Sequence, residues 1–270
     1  MPPVPRCLTT PFPLVTLSPF MSAIEVLLAV AVIWIAIISL IRLAVVPRLR
    51  HGPGGDPVYG LMWRVLRLYC RLWHRVTYSG VELLPASEED HNGLIVVSNH
   101  TGSVDPLLIQ ARCRFLIRWL MATDMMIPEL DWLWRQQQMI PVERQGRDSS
   151  ALREAIRHVR SGGCIGIFPE GRIAVPPREI RPFLPGVGGL IARTKAPVLL
   201  TWVSGTPDTN VMSEALTTRS HAHVQFIDLI DYADGLDPEE ITADLRTRIQ
   251  EASGWPLNDA LVPPDGGGAG

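Results

Sequence analysis

Lysine is almost missing from this chain. Of the 25 basic residues only Lys195 is lysine, and arginines crowd the stretch between Arg42 and Arg75. The formal net charge of −2 gives no electrostatic footprint for a nucleic-acid partner. Cysteine is scarce too: Cys7, Cys70, Cys113 and Cys164 stand far apart, with no C-x-x-C pair and no metal-ligand spacing. That argues against a disulfide scaffold or a zinc site and fits a reducing compartment. No G-x-S-x-G nucleophile elbow occurs, which disfavours a serine esterase. There is no internal repeat.

Long apolar runs are confined to one place. Residues 1–20 are proline-rich with one charge, Arg6, and are predicted to be disordered; Met21 is an alternative start. From Val26 to Val46 only Ser39 and Arg42 interrupt the apolar residues. About 20 residues at 1.5 Å rise is what a bilayer core requires, so residues 21–50 are predicted to span a membrane. Arg42, one turn from the end, can snorkel to the headgroups. A cleaved signal peptide and a buried core helix are the alternatives. The first lacks a basic n-region and a small-x-small cleavage site. Arg48, Arg50 and His51 follow the run, whereas Arg6 and Glu25 precede it. The positive-inside rule therefore predicts a single-pass protein of the inner membrane with its C-terminal part in the cytoplasm.

After a linker of breakers, HGPGGDP, residues 57–78 carry Leu61, Val65, Leu68, Leu72 and Val76 at helical spacing, with Arg64, Arg67, Arg71 and Arg75 beside them. A basic, tryptophan-bearing amphipathic helix suits a membrane interface; a surface helix with this stripe in the core is the alternative. Residues 79–254 alternate strands and helices, which predicts an α/β domain with a mixed, mostly parallel sheet flanked by helices. Strands are expected at Leu94–Ser98, Phe115–Met121, Met139–Val142, Cys164–Phe168, Val198–Val203 and His221–Ile227. Asp237-Pro238-Glu239-Glu240 opens a C-terminal helix that stops near Gly254. Residues 255–270 are predicted to be a disordered tail.

Chemistry enters at residues 94–106, LIVVSNHTGSVDP. A histidine and a carboxylate at the exit of a buried strand are the parts of a general base and its orienting partner. The spacing alone is weak, because the chain holds it three times: His51/Asp56, His100/Asp105 and His223/Asp228. The first lies in a Gly/Pro linker. The third lies in a predicted strand, where residues five apart face opposite ways. Only His100/Asp105 sits on a strand-to-helix turn, at the strand end where α/β sheets place ligands. Asp105 before Pro106 is also a good helix N-cap, and that alone could explain it. Phe168-Pro169-Glu170-Gly171-Arg172 also follows a short apolar strand and would emerge near His100 if the two strands are parallel neighbours. Arg144 follows another. Arginines suit phosphate through bidentate hydrogen bonds, and Glu170 could hold Arg172 or accept from a substrate hydroxyl. A surface turn with an ion pair is the alternative for Glu170.

Asn99-His100 to Asp105-Pro106, Ile140-Pro141-Val142-Glu143-Arg144, Phe168 to Arg172, and Ala196-Pro197-Val198 occur in the order of the four blocks of the glycerolipid acyltransferases. The chain resembles the 1-acylglycerol-3-phosphate acyltransferase family, from roughly Val76 to Asp231. The resemblance implies that His100 is the base and Asp105 its partner. It places Arg144, Glu170, Gly171 and Arg172 at acceptor-binding positions, with Asn99, Phe168 and Pro169 also among the substrate-binding residues. It also implies a lysophospholipid acceptor, an acyl-CoA or acyl-carrier-protein donor, and neither metal nor cofactor. The third block departs from the common FPEGTR, with Arg172 directly after Gly171, and Leu184 stands where the family often carries lysine. Both leave the acceptor head group open, lysophosphatidylethanolamine included. A non-catalytic membrane module of the same fold is the other reading.

Overall fold

The computed structural model describes residues 23–143, 149–174, 178–232 and 236–260. The expected disordered N-terminus, Arg144 and residues 261–270 lie outside them. The chain divides into two units, 1–48 and 49–270. In the first, Ala23–Leu40 (α1) continues through a π-helical turn, Ile41–Val45, into Val46–Leu49 (α2). Together they make a 27-residue helix holding an 18-residue window of mean hydropathy 2.8, long and apolar enough to cross a membrane. No residue of α1 is buried in protein.

The second unit opens with Pro57–Leu72 (α3). Asp56 caps it by accepting from the Val58 and Tyr59 amides at 2.7 and 3.3 Å. The aspartate of the first decoy pair is thereby occupied. Gly60, Trp63 and Cys70 are buried, whereas Val58, Leu61, Val65, Leu68 and Leu72 are 53–63 % exposed. The apolar stripe points outward, so the surface helix with its stripe in the core is excluded. The helix also ends earlier than expected. Arg75 takes a left-handed φ of 42°, and Thr77–Ser79 forms a strand, β1.

Leu94–Ser98 (β2), Asp105–Gln110 (α4), Ile117–Ala122 (β3), Asp131–Gln136 (α5), Ile140–Val142 (β4), Ser149–Arg160 (α6), Cys164–Ile167 (β5), Gly186–Thr194 (α7), Val198–Ser204 (β6), Met212–Thr217 (α8), His223–Ile230 (β7) and Pro238–Ser253 (α9) complete the unit. The seven strands form one sheet in the order β1-β7-β6-β2-β5-β3-β4. It is mixed and mostly parallel. β7 runs antiparallel to β6 and parallel to β1, so these two oppose the five others. Central strands are buried on both faces. Leu94 and Val96 of β2 enter one core with Cys70, Leu108 and Ala215; Ile95 and Val97 enter the other with Ala155, Leu190 and Leu245. That is why these strands are continuously apolar instead of alternating with polar residues.

The C-terminal helix begins with a complete capping box: Asp237 accepts from Glu239 and Glu240 while Glu240 accepts from Asp237. α7 lies close beneath it, because a Cβ on Gly188 would fall 1.8 Å from the Pro238 carbonyl oxygen. Residues 255–260 of the expected disordered tail pack on the domain instead. Leu257 bridges to Ile180, the Asn258 amide donates to the Ile180 carbonyl at 3.0 Å, and Trp255 meets Trp202 edge-on. In the third decoy pair, His223 bonds Thr77 and Ser79 while Asp228 pairs with Arg248.

Candidate functional site

β2 delivers Ser98-Asn99-His100 to the carboxyl end of the sheet, and α4 begins five residues later on Asp105 itself. The Asp105 carboxylate is fully buried and turns back toward the loop it follows. Its Oδ2 accepts from His100 Nδ1 at 2.9 Å, the Thr101 amide at 2.6 Å and the Gly102 amide at 2.9 Å; Oδ1 accepts from the Thr101 hydroxyl at 3.1 Å. The expected N-cap is therefore corrected: Val104 holds the cap position without a side-chain bond, and Asp105 folds the preceding loop around its own charge. Because an ionised carboxylate only accepts, Nδ1 carries the imidazole proton and Nε2 keeps a lone pair.

β5 pairs with β2 in parallel register, Val97 opposite Ile167. Three residues further along each strand, His100 and Glu170 come level. The His100 amide donates to Glu170 Oε1 at 3.0 Å, and its carbonyl accepts from the Ala174 amide at 2.9 Å. Glu170 Oε2 accepts from the Arg181 amide at 3.4 Å. Glu170 is 6 % exposed, which corrects the surface turn. Instead of pairing with Arg172, its two oxygens hold main-chain N–H groups and fix the backbone of His100.

Aromatic rings fix its plane. Phe168 stacks on His100 at 4.1 Å and 14°, and Trp119 stacks on Phe168 at 4.8 Å and 11°. Gly166 makes room, since a Cβ there would sit 2.3 Å from the Trp119 ring. Pro169 is buried, and Gly171, at φ 70°, closes the turn by donating to the Phe168 carbonyl. Arg172 follows, half-buried.

Two expected positions differ. Asn99 is buried and spends both ends of its amide on the Val203 main chain, at 2.9 and 2.8 Å, so its side chain extends the β2–β6 pairing instead of meeting an acceptor. Arg144 lies outside the described residues. Sequence reasoning missed Trp119, whose alternating strand signals only core. It also missed Arg181, which is 7 % exposed with an Nε that has no partner among the described residues. A cation so buried invites an anion. Cysteine chemistry is absent from the described site, because burial pushes the thiols of Cys70, Cys113 and Cys164 upward and keeps them protonated.

Burial pushes the Glu170 carboxyl up to about 7, opposed by the His100 and Arg181 amides and reinforced by the Asp105 charge. Its affinity for a proton is thus greater folded than unfolded, and the folded state loses stability as pH rises from about 4.5 through about 7. Glu170→Gln removes that titration. Thermal or denaturant unfolding should show wild type losing ground to Glu170→Gln by more than about tenfold in the unfolding constant across this window. A pH-independent difference would remove the buried carboxyl from the picture.

Residues 75–204 match the model of a protein family described as Acyltransferase. No curated protein sequence matches the chain. Among solved structures, the fold is similar to the crystal structure of the 1-acyl-sn-glycerophosphate (LPA) acyltransferase PlsC from Thermotoga maritima. The TM-score is 0.60 at 20 % identity, covering 85 % of this chain and 94 % of that one. The segment similar to the acyltransferase family contains β2 with its His100–Asp105 turn, β5 with the Glu170 clamp and β6 to its end.

Proposed function

We propose that the protein is a membrane-bound O-acyltransferase that moves a fatty acyl group from acyl-CoA or acyl-carrier protein to the free hydroxyl of a lysophospholipid, with lysophosphatidic acid as acceptor and phosphatidic acid as product. The observation that carries this is the held imidazole, with Nδ1 on Asp105 and the main chain on Glu170, inside a segment of the acyltransferase family. His100 Nε2 takes the proton of the acceptor hydroxyl as its oxygen attacks the thioester carbon. The tetrahedral intermediate collapses, the C–S bond breaks, and the thiolate leaves with the proton returned from Nε2. Asp105 keeps the ring in the productive tautomer and balances the imidazolium. Arg144 and Arg172 meet the acceptor phosphate.

The name of the Thermotoga maritima protein, an LPA acyltransferase, favours this acceptor. Arg172 directly after Gly171, and Leu184 in place of a cation, favour a second acceptor such as lysophosphatidylethanolamine. α1 anchors the chain in the inner membrane with the α/β unit on the cytoplasmic face, and the outward stripe of α3 lies in the lipid interface.

His100→Ala and Asp105→Asn should each lower acyl transfer by about 10³-fold or more in membrane fractions offered lysolipids of several head groups. Product formation from every acceptor that ignores His100→Ala would sink the enzyme reading. Leu61→Glu with Leu68→Glu, both at exposed positions, should keep the fold and weaken binding of the chain without α1 to anionic vesicles. Undiminished binding would remove α3 from the interface.

A further inference from the structure

A cleft opens beside the His100 loop, at the carboxyl ends of β2 and β6. It encloses about 300 Å³, and its near wall is Thr101 and Thr206, whose hydroxyls are bonded at 3.0 Å. Thr101 is also the residue that donates twice to Asp105, so this wall is shared with the His100 loop. The other walls carry Arg178, Arg219 and His221, with Asp208 as the carboxylate among the lining residues. Arg219 and His221 are held in place. Arg219 lies over the Trp73 ring at 4.8 Å, and Arg75 donates to His221 Nε2 at 2.8 Å. Because arginine cannot accept, His221 must carry its proton on Nδ1, leaving a neutral ring donor. Two guanidiniums and an imidazole N–H in one concavity fit a phosphate ester.

Sheet order decides whose phosphate. Arg144 and Arg172, assigned to the acceptor, follow β4 and β5 on one side of β2, whereas most of the cleft lining, Gly205 to Asp208 and Arg219 to His221, sits at β6 and β7 on the other, with Arg178 joining it from the loop after β5. β7 and β1 run opposite to β6, so the segments that precede them, with Arg219, His221 and Arg75, reach the same end of the sheet as His100. They stand two to three strand spacings from β2, about 10–14 Å. A lysophosphatidic acid hydroxyl lies only about 5 Å from its phosphorus, whereas the pantetheine arm of CoA spans about 16 Å from sulfur to the first phosphorus. The donor's arm is long enough to span that gap to His100.

We infer that this cleft binds the phosphorylated nucleotide end of a CoA thioester, so that donor and acceptor approach His100 from opposite sides of β2. The inference rests on the acyltransferase reading for its role but not for its binding test. Coenzyme A is titrated into full-length chain in nanodiscs, as wild type, His100→Ala, Arg219→Ala and Arg178→Ala with Arg219→Ala, with thermal melts to confirm folding. Coenzyme A should bind wild type and His100→Ala alike, and the double arginine variant at least tenfold more weakly. In turnover, the ratio of kcat/KM for acyl-CoA over acyl-pantetheine, which lacks the phosphates, should fall about tenfold in that variant. Binding indifferent to both arginines overturns the cleft while leaving the acyltransferase reading intact. Coenzyme A binding without any acyl transfer supports the cleft and sinks that reading. A rise in acceptor KM alone assigns the cleft to the acceptor and overturns the inference. So does a loss confined to acyl-carrier protein, which would make the cleft a carrier-protein contact.

Discussion

Parallel pairing of β2 with β5, in register from Leu94 opposite Cys164 to Val97 opposite Ile167, is the constraint on which the rest depends. It brings two segments about 70 residues apart in sequence to the same height at the sheet's end, where His100 and Glu170 meet through the His100 amide. Everything beyond is local: a turn at Gly171, a return bond from Ala174 to the His100 carbonyl, and the rings of Phe168, just past β5, and of Trp119 on β3 beneath the imidazole. A parallel pair needs both faces covered, and the two helical layers supply that cover with apolar side chains from β2 pointing alternately into each. The rigidity of the base is thus a consequence of the sheet's burial.

Electrostatics at this end are unusual for carboxylates. Asp105 is completely buried yet collects four donors, which is what a buried charge requires. Glu170 collects only main-chain amides, and one of those bonds is long. Burial pushes its carboxyl up. Two acids within one site thus take different parts. One carries charge to the imidazole, and the other is a neutralisable clamp on its backbone.

Three Asp-Pro steps show how far sequence could go. Asp56-Pro57 and Asp237-Pro238 are helix caps with the bonds that the pattern predicts. Asp105-Pro106 looks the same on paper but is not a cap, because Thr101 and Gly102 upstream offer their amides first. The deciding residues precede the motif and have no helix signature. The central strands were legible because burial on both faces leaves only β-branched and apolar residues. β1 was not, being three residues whose partner, β7, lies some 140 residues later, and nothing local records that β7 reverses direction. Asn99 was misplaced for a related reason. A polar residue beside a histidine suggests a ligand contact, while its real partner is the main chain of Val203, met only after the sheet closes.

The central claim is that the resting imidazole is already in the tautomer a base needs. Nitrogen-15 NMR of histidine-labelled full-length protein in nanodiscs tests it most directly, with the His100 signals assigned by their loss in His100→Ala. The expected spectrum has the proton on Nδ1, displaced by its bond to a carboxylate, and an unprotonated Nε2. A proton resting on Nε2, or a ring averaging between the two forms, would contradict the arrangement in which Asp105 holds His100 ready to accept.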